Sequence, residues 1–167
     1  MEMTFGGTPV TLQGQVKEKG DEAPDFKAIN TELELVSLSD FEDSDFIVLT
    51  TVPSIDTGTC DYMTKRFNKD LAEMEDVTVI TISNDLPFAQ KRWCANEGME
   101  NIHIFSDHRD LDFAEKYGTL MKEFRLQART VFVLDKSRAI IHAEYVQEAS
   151  EHPDYEAVKE ILERKRQ

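Results

Sequence analysis

Two apolar strands separated by a helix constrain the fold of this chain more than any other feature. Residues 46–52 and 77–83 are runs of β-branched and apolar residues with the length and composition of buried strands. Between them, apolar side chains recur at steps of three and four residues, which predicts one helix over residues 58–75. A strand, a helix and a second strand form a βαβ unit, and such units are parallel and right-handed in nearly all cases.

The rest of the chain extends this unit into an α/β fold. Gly6 and Gly7 predict the turn of an N-terminal hairpin, and Gly98 and Gly118 each predict the end of a helix. In chain order, the other predicted elements are a hairpin over residues 5–12, a helix capped by Asp85 that takes Pro87 into its first turn, a strand over 102–105, a short helix closed by Gly118, a hairpin of strands 130–134 and 139–145, and a last helix opened by Pro153 and Asp154. This succession predicts a thioredoxin-like fold, with a central mixed sheet flanked by helices and an N-terminal β-hairpin.

Length and charge limit the domain organisation and the partners. A chain of 167 residues with 40% hydrophobic residues suits one compact domain, which we expect to span residues 1–167. The net charge of -14 argues against binding to nucleic acid or to an anionic membrane, because both would repel this surface. No apolar run approaches the roughly 18 residues of a membrane span, and the first residues lack the basic and apolar regions of a secretory signal. We therefore expect a cytoplasmic protein.

The two cysteines, Cys60 and Cys94, are the candidate reactive groups. They are too few for a disulfide scaffold or a cysteine-rich zinc site, and the histidines show no paired metal-ligand spacing, so we favour a redox pair and expect no bound metal. Cys60 lies in the first predicted turn of its helix, where free backbone N–H groups and the helix dipole favour a thiolate over a thiol. This position indicates a nucleophile, although a buried core cysteine is the commonest state of a free cysteine.

The loop before Cys60 reads Thr57-Gly58-Thr59-Cys60, at the place where thioredoxin-like redox proteins carry Cys-x-x-Cys. A hydroxyl replaces the first sulfur, so this loop cannot form a local disulfide. The Thr57 hydroxyl can cap the helix, or it can hydrogen-bond to the Cys60 sulfur or to an oxygen bound beside it, and the spacing favours neither role. Pro53 is compatible with a simple strand terminator, since proline has no N–H for the ladder.

Two further candidates lie outside this loop. Cys94 shares a predicted helix with Phe88 and Trp93, and periodicity alone favours core packing for it. Arg129 directly precedes an apolar strand, so we expect its side chain to be partly enclosed; a surface salt bridge is the alternative.

The active loop matches a known pattern. Pro53, Thr57 and Cys60 fit Pro-x-x-x-Thr-x-x-Cys, the active-site pattern of peroxiredoxins. Further matching segments are Arg66-Phe67-Asn68, residues 83–90, Arg92-Trp93-Cys94, the N-terminal hairpin and the Pro153-Asp154-Tyr155 start of the last helix. Together these motifs resemble the bacterial thiol peroxidase group of atypical two-cysteine peroxiredoxins, over nearly the whole chain.

This resemblance implies a thiol-specific peroxidase that reduces hydrogen peroxide and organic hydroperoxides. Cys60 would be the peroxidatic cysteine, whose thiolate attacks the terminal peroxide oxygen and becomes a sulfenic acid. Thr57 would position the peroxide, and Pro53 would shield the sulfur. Arg129 would stabilise the thiolate and the charge that develops on the leaving oxygen. The stretch before it lacks glycines expected from the family, which leaves Arg125 as the alternative; we choose Arg129.

The resemblance also implies how the catalytic cycle closes. Cys94 would be the resolving cysteine, forming an intramolecular disulfide with Cys60 that a thioredoxin-like reductant reduces again, without a bound cofactor. A Cα separation above about 7 Å requires backbone movement before the bond forms, so we expect local unwinding of residues 58–62 and of the helix end near Cys94. Homodimers are common in the group, and we expect one here. A thiol-disulfide oxidoreductase or redox chaperone, and a peroxide-sensing redox switch, are the alternative functions.

Overall fold

Helices cover both faces of a seven-stranded mixed sheet in the computed structural model, which describes residues 2–166. In chain order the elements are β1 (Met3–Phe5), β2 (Thr8–Val10), β3 (Leu12–Gln13), β4 (Lys27–Ile29), β5 (Leu35–Ser37), β6 (Phe46–Thr51), α1 (Gly58–Asp70), β7 (Val77–Ser83), α2 (Pro87–Asn96), β8 (His103–Ser106), α3 (Asp112–Tyr117), β9 (Leu120–Met121), β10 (Leu126–Gln127), β11 (Thr130–Leu134), β12 (Ile140–Tyr145) and α4 (Tyr155–Lys165). The main sheet has the order β12-β11-β6-β7-β8-β4-β5. The strands β6, β7 and β8 are parallel, and the outer pairings are antiparallel. The predicted fold class is confirmed.

The βαβ unit forms the centre of the sheet. β6 pairs in parallel with β7 from Phe46 opposite Val77 to Thr51 opposite Ile82, as the sequence predicts. Side chains alternate across the two faces of the sheet. Ile47 of β6 packs in a cluster that includes residues of α3, whereas the next residue, Val48, lies on the other face and packs with residues of α1 and α4. Cys60 belongs to the cluster between the sheet and α1.

The helix α1 ends earlier than the sequence pattern suggests. The predicted helix extends to residue 75, but α1 stops at Asp70 and Leu71 is its C-cap residue. Leu71 and Met74 nevertheless pack in the same core cluster as the buried face of α1. Apolar spacing reports burial, and here burial continues through the turn that follows the helix. Within residues 2–166, no helix combines the length and the apolar character needed to cross a membrane.

The sequence pattern missed four short strands and misplaced part of the hairpin. β4 and β5 extend the main sheet, while β9 pairs with β3 and β10 in a small separate sheet. Leu12, which the pattern placed in the N-terminal hairpin, lies in β3 opposite Met121, and the hairpin itself consists of β1 and β2. Strands of two or three residues are too short to show an alternating pattern. The turn between β4 and β5 also places Leu33 at φ +66°, a conformation that a leucine does not signal.

Candidate active site

The loop between β6 and α1 places Cys60 at a helix start and inside the core. α1 begins at Gly58 with Thr57 as its N-cap residue, and Cys60 is 0% exposed. The Thr57 hydroxyl accepts the backbone N–H of Cys60 at 3.4 Å and donates to the Ser54 carbonyl at 3.2 Å. Thr57 therefore occupies the capping position that was one of its two sequence-based alternatives. Pro53, which follows β6, is also buried, whereas Thr57 is exposed.

Arg129 reaches the sulfur from the neighbouring strand. β11 runs antiparallel to β6, and its first residue pairs with the last residue of β6, so the residue before β11 lies where the active loop begins. Arg129 Nη2 donates to Cys60 Sγ at 3.1 Å, and Nη1 lies 3.4 Å from Met63 Sδ. Its Nε donates to the Ala149 carbonyl at 2.9 Å. Arg129 thus contacts both the cysteine and the helix that carries it.

The alternative arginine, Arg125, lies in a different environment. Its side chain is exposed and its backbone has φ +53°. Its carbonyl accepts a hydrogen bond from Asn84 Nδ2 at 2.7 Å. Of the two candidates, the arginine beside the sulfur is Arg129.

The buried guanidinium of Arg129 faces the sulfur of Cys60 and no carboxylate in residues 2–166. The Arg129 side chain is 1% exposed, and none of the salt bridges within residues 2–166 includes it. A guanidinium remains charged in proteins, and a buried charge without a counter-charge is costly. Of its contacts, the Ala149 carbonyl and the Met63 thioether are neutral, and only the Cys60 sulfur can become an anion. Arg129 is therefore placed to stabilise negative charge on or beside the Cys60 sulfur.

Asp85 fixes the active loop and does not cap α2. The N-cap residue of α2 is Leu86, so the predicted capping role is wrong. The Asp85 carboxylate instead accepts from Ser54 Oγ at 2.7 Å, from the Ile55 N–H at 2.8 Å and from Ser83 Oγ at 2.6 Å. Because the parallel strands β6 and β7 end at the same edge of the sheet, a carboxylate just after β7 faces the loop just after β6. Sheet register was the signal that could have identified this role.

Three aromatic side chains near the start of α1 and α4, Tyr62, His152 and Tyr155, pack together beside the site; sequence analysis assigned none of them a role there. Burial raises the pKa of Tyr155 to about 12, although the charges of Arg129 and Arg66 oppose this rise. The Tyr155 hydroxyl is therefore protonated near neutral pH, and it lies 2.8 Å from His152 Nδ1. Tyr62, two residues after the cysteine, is about half exposed and packs edge-on against the His152 ring at 5.1 Å.

Cys94 lies near the end of α2 in a separate part of the core. Both cysteines are free thiols; Cys60 packs in the cluster of α1, whereas Cys94 packs with Ile55 and Ile104. Burial raises the pKa of the Cys94 thiol, and the negative charge of Glu100 adds to this effect. Cys94 is therefore protonated near neutral pH in this conformation.

A hydrogen bond joins the chain neighbours of the two cysteines. Trp93 Nε1 donates to Asp61 Oδ1 at 2.8 Å, linking the residue before Cys94 to the residue after Cys60. Lys65 reinforces this Asp61–Trp93 contact, because its ammonium lies 3.1 Å from the Asp61 carboxylate and 2.9 Å from a carboxylate at the end of α2. These contacts therefore join α1 to α2 next to both cysteines.

The chain is similar to known proteins over most of its length. The Redoxin family model matches residues 18–159. The thiol peroxidase of Bacillus subtilis is 51% identical over 155 residues, which cover 93% of this chain and 92% of that protein. The thiol peroxidase of Listeria monocytogenes is 47% identical over 163 residues, 98% of each chain.

Solved structures show the same similarity. A peroxiredoxin-like protein from Aquifex aeolicus has a TM-score of 0.90 at 37% identity, covering 98% of this chain and 96% of that one. A thiol peroxidase from Chromobacterium violaceum also has a TM-score of 0.90, with 99% and 97% coverage, but at 20% identity it shows the shared fold alone.

Proposed function

This chain belongs to the redoxin family, as a bacterial thiol peroxidase, and from this premise we propose that Cys60 is the peroxidatic cysteine of its peroxide-reducing site. One observation carries the assignment: the buried Arg129 guanidinium donates to the sulfur of Cys60 at 3.1 Å, at the start of a helix. Within residues 2–166, Cys94 has no such partner, and burial raises the pKa of its thiol. The proposed nucleophile is thus the cysteine whose sulfur contacts a buried positive charge.

In the first step, the Cys60 thiolate attacks the terminal oxygen of a hydroperoxide. The O–O bond breaks, the sulfur is oxidised to a sulfenic acid, and the leaving oxygen takes a proton and departs as water or an alcohol. Arg129 stabilises the negative charge as it moves from sulfur to the leaving oxygen. The exposed Thr57 hydroxyl can turn from the Ser54 carbonyl to hydrogen-bond the peroxide. Pro53 limits the access of water to the sulfur.

In the second step, the Cys94 thiol loses its proton and the thiolate attacks the sulfenic sulfur of Cys60. The S–O bond breaks, the leaving hydroxide takes a proton and departs as water, and an intramolecular disulfide forms. The Cys94 side chain is 7% exposed and packs in a different cluster from Cys60. We therefore retain the expectation that residues 58–62 and the end of α2 unwind before the bond forms. A thioredoxin-like dithiol then reduces the disulfide and returns both thiols, so the cycle needs no bound cofactor.

Three further assignments belong to this proposal. A reducing compartment is needed to keep both thiols available, which is why we place the protein in the cytoplasm. We assign residues 1–167 to one domain and the active protein to a homodimer, whose mass light scattering after size exclusion measures directly. A monomer at micromolar concentration would contradict the dimer without affecting the chemistry.

Stopped-flow oxidation of the reduced protein by micromolar hydrogen peroxide tests the function. We expect a second-order rate far above that of a free thiol, no reaction in Cys60→Ser, and a sulfenic acid trapped by dimedone in Cys94→Ser. A wild-type rate equal to that of a free thiol would defeat the proposal. Sustained NADPH consumption with thioredoxin and its reductase distinguishes a peroxidase from a redox switch, which would be oxidised once and stop.

A further inference from the structure

The loop after β12 supplies the oxygen acceptor that orients Arg129. Among residues 2–166, the Arg129 guanidinium has one hydrogen bond to oxygen, from Nε to the Ala149 carbonyl at 2.9 Å; its other contacts are to the sulfurs of Cys60 and Met63. A guanidinium is planar and rigid, so the bond at Nε, together with the contacts of Nη1 and Nη2, restricts the direction in which the terminal nitrogens point. The direction of Nη2 toward Cys60 therefore depends on where Ala149 is held.

Ala149 is held by the N-terminal strand. The Ala149 N–H donates to the Thr4 carbonyl at 2.7 Å, and the Thr4 N–H donates to the Gln147 carbonyl at 2.9 Å. Ala149 is 0% exposed and packs with Met3 and Met121. The segment 147–150 is thus attached to β1 on one side, while its Ala149 carbonyl faces the active site on the other.

The Glu148 carboxylate locks this attachment. It accepts from Thr4 Oγ1 at 2.9 Å, from the N–H groups of Gly6 and Gly7 at 3.1 and 2.7 Å, and from the N–H of Ser150 at 2.7 Å and its hydroxyl. Gly6 and Gly7 have φ values of +58° and +82°, a hairpin turn whose N–H groups converge on the anion. The Ser150 hydroxyl and the Gly7 N–H hold the pKa of Glu148 at about 2, so this group is an anion at any working pH.

The same loop also contacts the helix that carries Cys60. Thr59 Oγ1 donates to the Ser150 carbonyl at 3.1 Å, and Thr59 directly precedes the cysteine. Two adjacent carbonyls of this loop therefore contact the site: that of Ala149 accepts from Arg129, and that of Ser150 accepts from Thr59, the residue before Cys60.

We propose that Glu148 is a positioning residue for the reaction at Cys60, which locks the 147–150 loop to the N-terminal hairpin so that the Ala149 carbonyl aims Arg129 at the sulfur. This role rests on the proposed function of Cys60 and extends it to a residue that touches neither the sulfur nor the substrate. It also connects the N-terminal hairpin to catalysis, since the N–H groups of the turn at Gly6 and Gly7 bind the Glu148 carboxylate.

Glu148→Gln is the informative substitution. One carboxylate oxygen accepts from Thr4 and Gly7, and the other accepts from Gly6 and Ser150. Glutamine replaces one of these oxygens with an NH2 group, which can only donate, so the groups that donate to that oxygen lose their acceptor. Glu123→Gln is the matched control. Its carboxylate also holds the N-terminal segment, accepting from the N–H and hydroxyl of Thr11 at 2.7 and 2.9 Å, but it has no link to the 147–150 loop.

A double-mutant cycle with Arg129→Met separates positioning from a general loss of stability. In the wild-type background we expect Glu148→Gln to slow oxidation by hydrogen peroxide at least about tenfold, since small displacements of a catalytic group are costly. Glu123→Gln should stay within about twofold, and in the Arg129→Met background Glu148→Gln should add less than about twofold. Equal losses in both backgrounds, or a wild-type rate in Glu148→Gln, would overturn the proposal.

A second readout does not depend on peroxide. The absorbance of the Cys60 thiolate near 240 nm, titrated in a Cys94→Ser background, should appear at higher pH in Glu148→Gln and at an unchanged pH in Glu123→Gln. If the wild type fails to reduce peroxide, the proposed function is wrong. The role of Glu148 is rejected separately, if the titration of Cys60 in Glu148→Gln is unshifted. If Glu148→Gln does not fold, Ser150→Ala removes one contact of the lock, and a wild-type titration in that variant contradicts the proposal.

Discussion

Removal of the Asp61 carboxylate should speed the disulfide-forming step, because this carboxylate ties together the two turns that carry the cysteines. Trp93 Nε1 donates to Asp61 Oδ1 at 2.8 Å, and Lys65 bridges the same carboxylate to α2. If both turns must unwind before the sulfurs meet, the Asp61–Trp93 contact opposes that unwinding. Asp61→Ala breaks the contact without touching either sulfur.

The size of the effect follows from the geometry. A hydrogen bond to a charged group contributes about 1.5–3 kcal/mol, and the Asp61 side chain is 31% exposed, so solvent screening favours the lower value. A loss of about 1.4 kcal/mol changes an equilibrium constant tenfold. We therefore expect the unwound state, and with it the rate of disulfide formation, to increase by about one order of magnitude.

The protein contains one tryptophan, Trp93, which makes fluorescence a specific probe of this step. After mixing with peroxide, a first phase that depends on peroxide concentration should report oxidation of Cys60, and a second, independent phase should report release of the indole. Asp61→Ala should accelerate only the second phase. Asp70→Ala is the control, since Asp70 lies on the same helix and accepts from Arg66 Nε at 3.2 Å but does not contact α2. A second phase that is unchanged or slower in Asp61→Ala would refute the reasoning, because the contact would then align Cys94 instead of restraining it.

Three other changes test the site. Arg129→Lys should slow the oxidation of Cys60 by about a hundredfold in stopped-flow measurements. One ammonium cannot replace the three directed contacts of the guanidinium, and in other enzymes the loss of one hydrogen-bond donor to the transition state slows the reaction by at least about a hundredfold. Disulfide formation should accelerate by about tenfold per pH unit between pH 6 and 8, because burial raises the pKa of the Cys94 thiol and only its thiolate attacks; a flat profile of the second phase would contradict this. Thr57→Val should slow oxidation and lower the melting temperature, since the cap contributes about 1 kcal/mol, whereas Thr57→Ser should preserve both; equal peroxide rates in the two variants would remove Thr57 from the chemistry.

The long elements of the fold were predictable from sequence, and the short ones were not. β7 is seven residues long and β6 is six, and both are apolar enough to identify without knowledge of their neighbours. β9 and β10 have two residues each; they pair with each other, and β9 also pairs with the distant β3. For such strands the tertiary contacts come first and the local sequence carries little information.

The site residues differ in the same way: those whose position depends on local sequence were predictable, and those whose position depends on distant contacts were not. The position of Cys60 follows from a local rule about helix starts. Arg129 was selected from the resemblance to peroxiredoxins, and the apolar strand after it predicted only that its side chain is enclosed. Asp85 was assigned wrongly, because a local capping rule was applied where the parallel edge of the sheet decides its contacts. The role of Glu148 was not predicted, since its partners in the N-terminal hairpin lie more than 140 residues away in the chain.

Oxidation itself can shift the balance between the rigid and the unwound forms of the site. Cys60 is 0% exposed, and the sulfenic acid adds an oxygen atom to this fully enclosed sulfur. Overpacking a core costs about 1–3 kcal/mol, which is the same size as the hydrogen bond that ties Asp61 to Trp93. The reduced enzyme thus keeps its helix start folded, as the contact between Arg129 and the sulfur requires. Once the sulfur carries oxygen, we expect the added strain to offset the Asp61–Trp93 hydrogen bond, so that unwinding becomes favourable at the proposed step in which Cys94 approaches Cys60.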